Sequence, residues 1–450
     1  MFQIVMLLFG AEFLRAKAKY LMFISILWGV FGMIIFIDGL DGVTYFPLRA
    51  FGALLLLESL LTLSIASVST GPKKAVLYFK GGVFFFVAIL ILSDKPYSNQ
   101  LLAIVFGFAF FVISLFVISS AWVVRYPKWI SAILSGIAQM LFAIFIFSPY
   151  PTHYKATVPV LLGALMLMSS VNTLRLALRA NRVSEGVSIF DLLAPCDLQY
   201  KLKKQPAPRP LDDYTAAANF CGPLTVHIWT PEGTANNSPI PRPVINRYIA
   251  AVDSDGFIST GHAALELPPD VYISLYPEDD INRSPSEFLN ILKATQDNNV
   301  SGVFQPDYAT EAANWCESDR KIHFHIYNRK ALLHYWQGYR MTTTYNLTYR
   351  NCSSSVAYAL EASLEGVLAE QSKNLYATLR TAFMPELWIA AQVRKRALSM
   401  AWTPGLVMDY ARALHSIVHP GPDPWYQRLT AKWRERRSAR KLQEKTPRRW

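Results

Sequence analysis

Six apolar stretches follow one another in the first 180 residues, and they constrain the fold more than any other feature of the sequence. Each is close to the roughly 20 residues that a helix needs to cross a hydrocarbon core of about 30 Å. A single stretch of this kind also occurs as a buried helix of a soluble protein, but six in succession predict a transmembrane bundle. The predicted spans are Tyr20–Ile37, Phe46–Ala66, Ala75–Leu92, Leu101–Val124, Trp129–Phe147 and Thr157–Leu178.

Besides Arg49 and Arg175, which lie near the ends of their spans, two charged residues lie inside these stretches. Lys80 interrupts the start of the third span, where a long side chain can reach the membrane interface. Glu58 lies in the middle of the second span, where a carboxylate is costly. We expect Glu58 to be protonated or paired with a neighbouring helix, and a proton-linked role is the alternative.

Basic residues are concentrated in the loops on one side of the predicted spans. By the positive-inside rule, this bias places both termini and the domain after the spans in the cytoplasm. The first 14 residues are apolar without a basic n-region or a cleavage site, so they predict a short interfacial helix rather than a signal peptide. The predicted cytoplasmic side carries Arg15, Lys17, Lys19, Lys73, Lys74, Lys80, Arg125, Lys128, Arg175, Arg179 and Arg182, against Arg49, Lys95 and Lys155 on the other side.

The membrane part is internally repetitive. Three glycine-bearing runs, WGVFGMIIFIDG, GGVFFFVAILILSD and SGIAQMLFAIFIFSP, each open a helical hairpin, and the hairpins recur at intervals of about 50 residues. Small residues let helix backbones approach closely in a membrane. Over residues 10–183 this pattern resembles the HdeD family of bacterial membrane proteins, which is associated with acid resistance. The resemblance implies a bacterial inner-membrane location and a stress-related context.

Composition divides the chain into four segments: a membrane domain at 1–183, a juxtamembrane linker at 184–215, an α+β domain at 216–370 and a helical, basic region at 371–450. Runs rich in β-branched and aromatic residues predict strands. Segments in which a capping residue precedes apolar residues at helical spacing predict helices, so the domain is assigned to the α+β class. The predicted strands are LTVHIW, NRYIAAV, TGHAALEL, VYISLYP and KIHFHIYN, and the predicted helices are SPSEFLNILKATQDN and NCSSSVAYALEASLEGVLAE.

The basic C-terminal tail allows three interpretations. The chain has a net charge of +12, and Lys and Arg are dense between Arg428 and Arg449. Such a tail can bind nucleic acid. In an anchored protein, attraction to an anionic leaflet is simpler, at about 1 kcal/mol per basic residue. We therefore expect anionic lipid and no nucleic acid as a partner, with a solvated tail that has no partner as the third interpretation.

The cysteines and histidines do not predict a metal site. His323 and His325 share a strand face near Cys316, but only His334 and His227 remain as further ligands, without recognisable spacing. The cysteines lack a CxxC pair and regular spacing, which favours free thiols in a reducing compartment over disulfides or a zinc knuckle. They are Cys196, Cys221, Cys316 and Cys352. We expect neither a metal nor a cofactor.

Two short segments of the α+β domain carry candidate catalytic residues. His262 follows Gly261 in the strand TGHAALEL, and Cys352 directly precedes the serines that open a helix. A helix N-terminus lowers the pKa of a thiol, and a neighbouring imidazole can take its proton and deliver it to a leaving group. Helix N–H groups can donate to an oxyanion. Alternatively, both residues are ordinary members of the core, as buried cysteines often are.

The order of a His-bearing strand followed by Asn351–Cys352 at a helix start resembles the circularly permuted papain-like thiol enzymes. These include NlpC-type hydrolases and lecithin:retinol acyltransferase-like proteins. The resemblance covers residues 220–370 and implies Cys352 as nucleophile, His262 as base and Asn351 as support for the oxyanion. The family usually takes a third polar group from the next strand. Here the candidates are Glu266, on the same strand face as His262, and Ser274, on the next strand.

The sequence therefore predicts a membrane-tethered cysteine hydrolase or acyltransferase that acts on a membrane-proximal peptide, amide or acyl substrate. The second hypothesis is a non-enzymatic HdeD-like stress protein whose soluble domain is an inactive relative used for binding. The strand after His262 lacks an acidic residue, which favours this second hypothesis. A transport role built on Glu58 is the third.

Overall fold

A computed structural model describes the chain in these ranges: 2–40, 45–68, 71–93, 95–150, 154–181, 190, 222–230, 251–252, 258–259, 261–279, 281, 287–382 and 384–420. The tail after residue 420 and almost all of the predicted linker lie outside these ranges, as do Cys196, Cys221 and most of the predicted strand NRYIAAV. What the sequence predicts for them stays a prediction.

Six of the described helices are long and apolar enough to cross a membrane. Each overlaps one predicted span, and their outward side chains, such as Phe23 and Leu54, are large and exposed, as lipid-facing residues are. The prediction of a multi-pass membrane protein is confirmed. After a short helix α1 (Phe2–Phe9), the spanning helices are α2 (Ala11–Asp38), α3 (Leu48–Val68), α4 (Gly71–Ser93), α5 (Pro96–Val124), α6 (Trp129–Phe147) and α7 (Thr157–Asn181).

The spanning helices pack as three close pairs: α2 with α7, α3 with α4, and α5 with α6. Glycines lie at these contacts. A Cβ added to Gly163 of α7 would be 2.6 Å from the backbone nitrogen of Phe36 in α2, and one added to Gly81 of α4 would be 2.7 Å from Leu63 in α3. The predicted hairpins are therefore not the packing units. Close approach of backbones at small residues selects the partner, and for α2 that partner comes from the other end of the membrane domain.

Lys80 and Glu58, the two charged residues farthest inside the predicted spans, pair with each other across the contact of α3 and α4. Lys80 of α4 donates to Glu58 Oε1 of α3 at 2.6 Å, and Thr62 donates to the same oxygen at 3.0 Å. The structure thus has the predicted pairing with a neighbouring helix. A cross-helix ion pair reduces the cost of placing either charge in the membrane.

Helix α1 packs into the core of the soluble domain. Leu7, Leu8 and Phe9 are at most 1 % exposed and lie in the same core as the soluble helices. The carbonyls of Leu7 and Leu8 accept hydrogen bonds from the N–H groups of Gly366 and Leu368 at 2.9 and 2.8 Å. The prediction of an interfacial helix is wrong because these apolar side chains bury against protein. The N-terminus and the soluble domain consequently lie on the same side of the membrane.

The central sheet of the soluble domain is antiparallel, with strand order β5-β4-β1-β8. Its register places Trp229 opposite His262 and Thr225 opposite Glu266. Strands β6, β7 and β9 form a second sheet, and β2 pairs with β3. The strands are β1 (Leu224–Trp229), β2 (Ala251–Val252), β3 (Ile258–Ser259), β4 (His262–Leu267), β5 (Val271–Ile273), β6 (Leu275–Pro277), β7 (Val300–Phe304), β8 (Arg320–Phe324) and β9 (Thr344–Tyr345).

One helix, α11, is buried along its whole length and forms the centre of the soluble domain. It packs against β4, α10 and α14. Helices combined with antiparallel sheets agree with the α+β prediction, and helices occupy the described part of 371–450, as predicted. The soluble-domain helices are α8 (Phe288–Ile291), α9 (Tyr308–Asn314), α10 (Arg329–Tyr339), α11 (Cys352–Ser363), α12 (Leu375–Ala382), α13 (Pro385–Ser399) and α14 (Pro404–Val418).

The predicted helix SPSEFLNILKATQDN is largely absent. Within its described part, only α8 and a 3₁₀ turn at Gln296–Asn298 form. The Asn298 side chain donates to the carbonyls of Asn290 and Lys293 at 2.6 and 2.9 Å. An asparagine side chain can bond to backbone groups that would otherwise form helical hydrogen bonds. Here the bonds from Asn298 stabilise a loop in place of the predicted helix.

A buried ion pair joins the C-terminal helices to α11. Arg394 of α13 donates to both oxygens of Glu361 at 2.7 and 3.0 Å, and the Tyr410 hydroxyl of α14 donates to Glu361 Oε1 at 2.9 Å. Arg394 also donates to Gln3 of α1 at 3.1 Å. Helices α13 and α14 therefore meet at a carboxylate of α11, the helix that begins at Cys352, and Arg394 links α1 to the same cluster.

Candidate active site

Cys352 is the first residue of α11, and the capping geometry fixes its position. The Asn351 side chain accepts from the Ser354 N–H at 2.8 Å, and the Ser354 hydroxyl accepts from the Asn351 N–H at 2.9 Å. This capping box satisfies two backbone donors at the helix start. It holds Cys352 where the orphan N–H groups of the helix point, as the sequence predicts.

The Cys352 thiol is 7 % exposed and lies against strand β4. Its sulfur lies 3.7 Å from the Ser353 hydroxyl oxygen. Burial raises the pKa of the thiol, and the Ser353 hydroxyl, with the nearby backbone N–H groups of Ala263 and Ser353, offsets only part of that shift. Because Ala263 directly follows His262, the helix start and the His-bearing strand meet at this point. Within the described residues, no hydrogen bond joins the thiol to the His262 ring.

The His262 ring is held on one edge by two oxygens. Its Nε2 is hydrogen-bonded to Ser274 Oγ at 2.8 Å and lies 3.3 Å from Glu311 Oε1. The ring stacks on Tyr276 with centroids 4.2 Å apart. Burial lowers the pKa of His262 to about 3, so the ring is neutral at pH 7. With the proton on Nε2, the basic nitrogen is Nδ1.

Glu311 on α9 is a site residue that the sequence analysis missed. It is 4 % exposed, and it accepts from the hydroxyls of Tyr272 at 2.5 Å and Tyr276 at 2.7 Å, in addition to its contact with His262. Burial, together with this carboxylate, raises the pKa of both tyrosines, which keeps them as donors. The acidic group that the strand after His262 lacks is thus supplied by a helix. The sequence signal for the helix that carries Glu311 was Asp307, a typical capping residue. Its side chain caps α9 by accepting from the Thr310 N–H at 2.7 Å.

Glu266, proposed from the sequence as a partner of His262, contacts a different histidine. Its Oε2 lies 2.9 Å from Nε2 of His227 on the adjacent strand β1, and His227 Nδ1 is hydrogen-bonded to Ser318 at 3.0 Å. Burial and then the nearby Lys321 charge lower the pKa of His227 to about 3. The sequence placed Glu266 on the correct strand face, but His227 lies closer across the strand pair than His262 does along the strand.

The Asn351 amide does not have the oxyanion role that the resemblance implies. Its Nδ2 donates to the carbonyls of Leu347 at 2.7 Å and Trp402 at 3.0 Å, while its oxygen caps the helix. All the hydrogen-bonding groups of this side chain are therefore engaged in positioning. The N–H of Cys352, at the first helical position and without an intrahelical acceptor, is the donor left for an oxyanion.

The alternative histidine cluster is dispersed. His323 Nδ1 is hydrogen-bonded to Thr225 at 3.1 Å, whereas the His325 backbone N–H donates to the His419 ring at 3.2 Å. Across the part of the chain that the structure describes, no three His, Cys, Asp or Glu side chains are arranged to hold a metal ion.

No protein-family model, no curated protein and no solved structure matches this chain. The function has to be inferred from the site itself. That site consists of a buried thiol at a helix start, a neutral imidazole on the adjoining strand, and a carboxylate with two tyrosines behind the imidazole.

Proposed function

We propose that this chain is a membrane-tethered cysteine hydrolase or acyltransferase, with Cys352 as nucleophile and His262 as base. One observation carries the proposal: the helix that begins at Cys352 packs against strand β4, where His262 is oriented from behind by Ser274 and the buried Glu311. Such an order of nucleophile, base and orienting group is the one that covalent acyl transfer requires.

The residues have separate roles in this mechanism. Nδ1 of His262 takes the thiol proton, and the thiolate attacks the carbonyl carbon of the substrate. The Cys352 N–H donates to the oxyanion that forms. When the bond to the leaving group breaks, the imidazolium returns its proton to that group. Water, or a second nucleophile, then releases the acyl group from the thioester.

The resting site holds a neutral pair, because burial raises the pKa of Cys352 and lowers that of His262. Proton transfer from sulfur to imidazole therefore creates two buried charges. Glu311 stabilises the imidazolium that results, and the helix N-terminus stabilises the thiolate. Reactivity consequently depends on Glu311 as much as on the two residues that exchange the proton.

We further propose the bacterial inner membrane as the location, with both termini and the soluble domain in the cytoplasm. The distribution of Lys and Arg among the loops supports this orientation. The docking of α1 into the soluble domain requires the N-terminus to be on the same side as that domain. The HdeD-like repeat adds a stress-related context to the proposal.

The second candidate is a non-enzymatic binding domain on the same anchor. It is favoured by the 7 % exposure of Cys352 and by the lack of a thiol–imidazole hydrogen bond within the described residues. The two candidates differ in the reactivity of the thiol, which an enzyme activates and a scaffold does not.

Thiol labelling distinguishes them. The full chain in detergent is treated with a small electrophile from pH 5 to pH 9, in a Cys316→Ser background that removes the exposed thiol. If Cys352 is the nucleophile of an enzyme, it should react faster than Cys196 and Cys221 well below pH 8 despite its raised pKa, because His262 takes the proton as sulfur bonds to the electrophile. His262→Ala should remove this advantage. Equal or slower labelling of Cys352 would leave the binding domain as the function.

A further inference from the structure

A second chain of hydrogen-bonded side chains lies on the face of the central sheet that meets α9. His227 Nδ1 is 3.0 Å from Ser318 Oγ, and His227 Nε2 is 2.9 Å from Glu266 Oε2. Because a carboxylate only accepts hydrogen bonds, Nε2 carries the proton of the neutral ring, and Nδ1 accepts from the Ser318 hydroxyl. A hydroxyl, an imidazole and a carboxylate thus follow one another in the order of a hydrolytic triad.

The turn that carries Ser318 is fixed to strand β1 on both sides of the serine. On one side, the Trp229 indole N–H donates to the Cys316 carbonyl at 3.0 Å. On the other side, the backbone N–H and the hydroxyl of Thr230 donate to Asp319 Oδ2 at 2.6 and 2.7 Å. The histidine of the triad lies on the same strand, so these bonds keep the hydroxyl next to the imidazole, as catalysis by positioned groups requires.

Tyr308, the first residue of α9, places a further donor beside the serine. Its hydroxyl accepts from the Ser318 N–H at 3.1 Å and lies 3.3 Å from Ser318 Oγ, and its ring stacks on His227 with centroids 4.1 Å apart. The proton of this hydroxyl can therefore turn to the oxygen of a carbonyl that the serine attacks. The Lys321 ammonium, 4.8 Å from the centroid of the Tyr308 ring, adds positive charge where that oxygen becomes negative.

The serine can be reached from solvent, and the surface beside it is aromatic. Ser318 is half-buried and the Glu266 side chain is 25 % exposed, so only the histidine of the three is enclosed. Trp315 is 54 % exposed and stacks on Trp229 with centroids 5.6 Å apart, and the Trp229 ring lies 6.2 Å from that of Tyr308. A planar group of a substrate would stack on the open face of this surface.

We propose that Ser318, His227 and Glu266 form a second catalytic site, which hydrolyses carboxylic esters that carry an aromatic group. Ser318 Oγ bonds to the carbonyl carbon as its proton passes to His227 Nδ1, and Glu266 stabilises the imidazolium. The ester C–O bond then breaks, and the leaving oxygen takes the proton from His227. Water hydrolyses the acyl-serine in the same way, which releases the carboxylic acid and restores the hydroxyl. This activity does not depend on the chemistry proposed for Cys352.

The test is labelling of the full-length Cys352→Ala chain in detergent with a fluorophosphonate, which phosphonylates activated serines with loss of fluoride. Peptide mapping identifies the labelled residue. We expect Ser318 to be labelled at least about a hundredfold faster than the exposed Ser301, the lower end of what general-base catalysis contributes. The same chain should hydrolyse phenyl acetate, and Ser318→Ala should abolish both reactions. Labelling of Ser318 no faster than that of Ser301 would overturn the inference.

The two histidines of neighbouring strands provide a matched pair of variants. His227→Gln should slow the labelling about a hundredfold or more, because it removes the base. His323→Gln should leave it unchanged, since His323 is hydrogen-bonded to Thr225 instead. Thermal unfolding checks both variants. If His227→Gln does not fold, Glu266→Gln at its partly exposed position takes its place and should slow labelling about tenfold or more. Equal effects of the paired variants would contradict the triad.

A last variant tests the substrate class. Trp315→Ala removes the exposed ring and should raise KM for phenyl acetate while kcat stays the same, because the ring contacts the substrate and not the reacting atoms. An unchanged KM would overturn the preference for aromatic esters. Since Cys352 is replaced in the labelled chain, failure of the serine site leaves the thiol enzyme to its own test.

Discussion

Glu311 Oε1 lies 3.3 Å from Nε2 of His262, and each side chain is at most 5 % exposed. Glu311 lies on helix α9, and His262 lies on strand β4, earlier in the chain. The hydroxyls of Tyr272 and Tyr276 also donate to the Glu311 carboxylate. A carboxylate oxygen that faces Nε2 favours the tautomer with the proton on that nitrogen. In that tautomer, Nδ1 is the nitrogen able to accept the thiol proton.

The first prediction concerns this carboxylate. Glu311→Gln keeps the shape of the side chain but removes the charge that stabilises an imidazolium at His262. We expect the labelling rate of Cys352 below pH 8 to fall by about tenfold or more, with the roughly 10²–10⁴ that loss of general acid–base catalysis costs as the upper limit. The pH at which labelling is half-maximal should also rise, a change that loss of packing alone does not produce. Glu266→Gln, which alters the carboxylate at His227 instead, is the control and should leave the pH profile in place.

The second prediction concerns acid stability. His262 and His227 have pKa values lowered to about 3 in the folded chain, against 6.5 when exposed, and both are deeply buried. Between pH 6.5 and pH 3 the unfolded chain thus binds more protons than the folded chain. The free energy of unfolding should fall as pH falls through this window, by at most about 1.4 kcal/mol per pH unit for each histidine.

Thermal unfolding of the full chain in detergent at pH 7, 6, 5 and 4 measures this dependence. His227→Gln should make the decline shallower, because one of the two groups no longer titrates. A midpoint that stays constant or rises as the pH is lowered would contradict the prediction.

The sequence was sufficient for the features that local patterns encode. Apolar length identified the spans, and the capped start of α11 identified the position of Cys352. Features that depend on long-range contacts were not predictable in this way. Glu311 reaches His262 only because α9 packs over the strands, and Glu266 pairs with His227 because strand register places them together. The packing of α1 into the soluble domain and the pairing of α2 with α7 likewise depend on residues more than a hundred positions away.

The third prediction concerns α1. Leu8 is fully buried in the core of the soluble domain although it precedes all six spans. Leu8→Ala should lower the free energy of unfolding of that domain by about 2–5 kcal/mol, the usual cost of emptying a core leucine site. Limited proteolysis in the soluble domain is the measurement. Phe23→Ala, a truncation on the lipid-facing surface of α2, should leave proteolysis unchanged. Equal effects of the two changes would argue against docking of α1.

The fourth prediction concerns the pairing of α2 with α7. A Cβ at Gly163 would be 2.6 Å from the Phe36 nitrogen, so Gly163→Ala forces the two backbones apart. Overpacking of this kind costs about 1–3 kcal/mol, which should lower the thermal midpoint in detergent. Gly82→Ala is the matched control, because a Cβ there meets no atom within 4 Å. A loss of stability at Gly82 as large as that at Gly163 would contradict the pairing.

Acylation of Cys352 by an activated short-chain ester tests the central claim most directly. The full chain is mixed with a p-nitrophenyl ester, and the modified residue is mapped by mass spectrometry as nitrophenol is released. The account predicts an acyl group on Cys352, formed more slowly in His262→Ala and absent in Cys352→Ala. Acylation of the exposed Cys316 alone, with Cys352 unmodified, would contradict it and leave the soluble domain without a catalytic thiol.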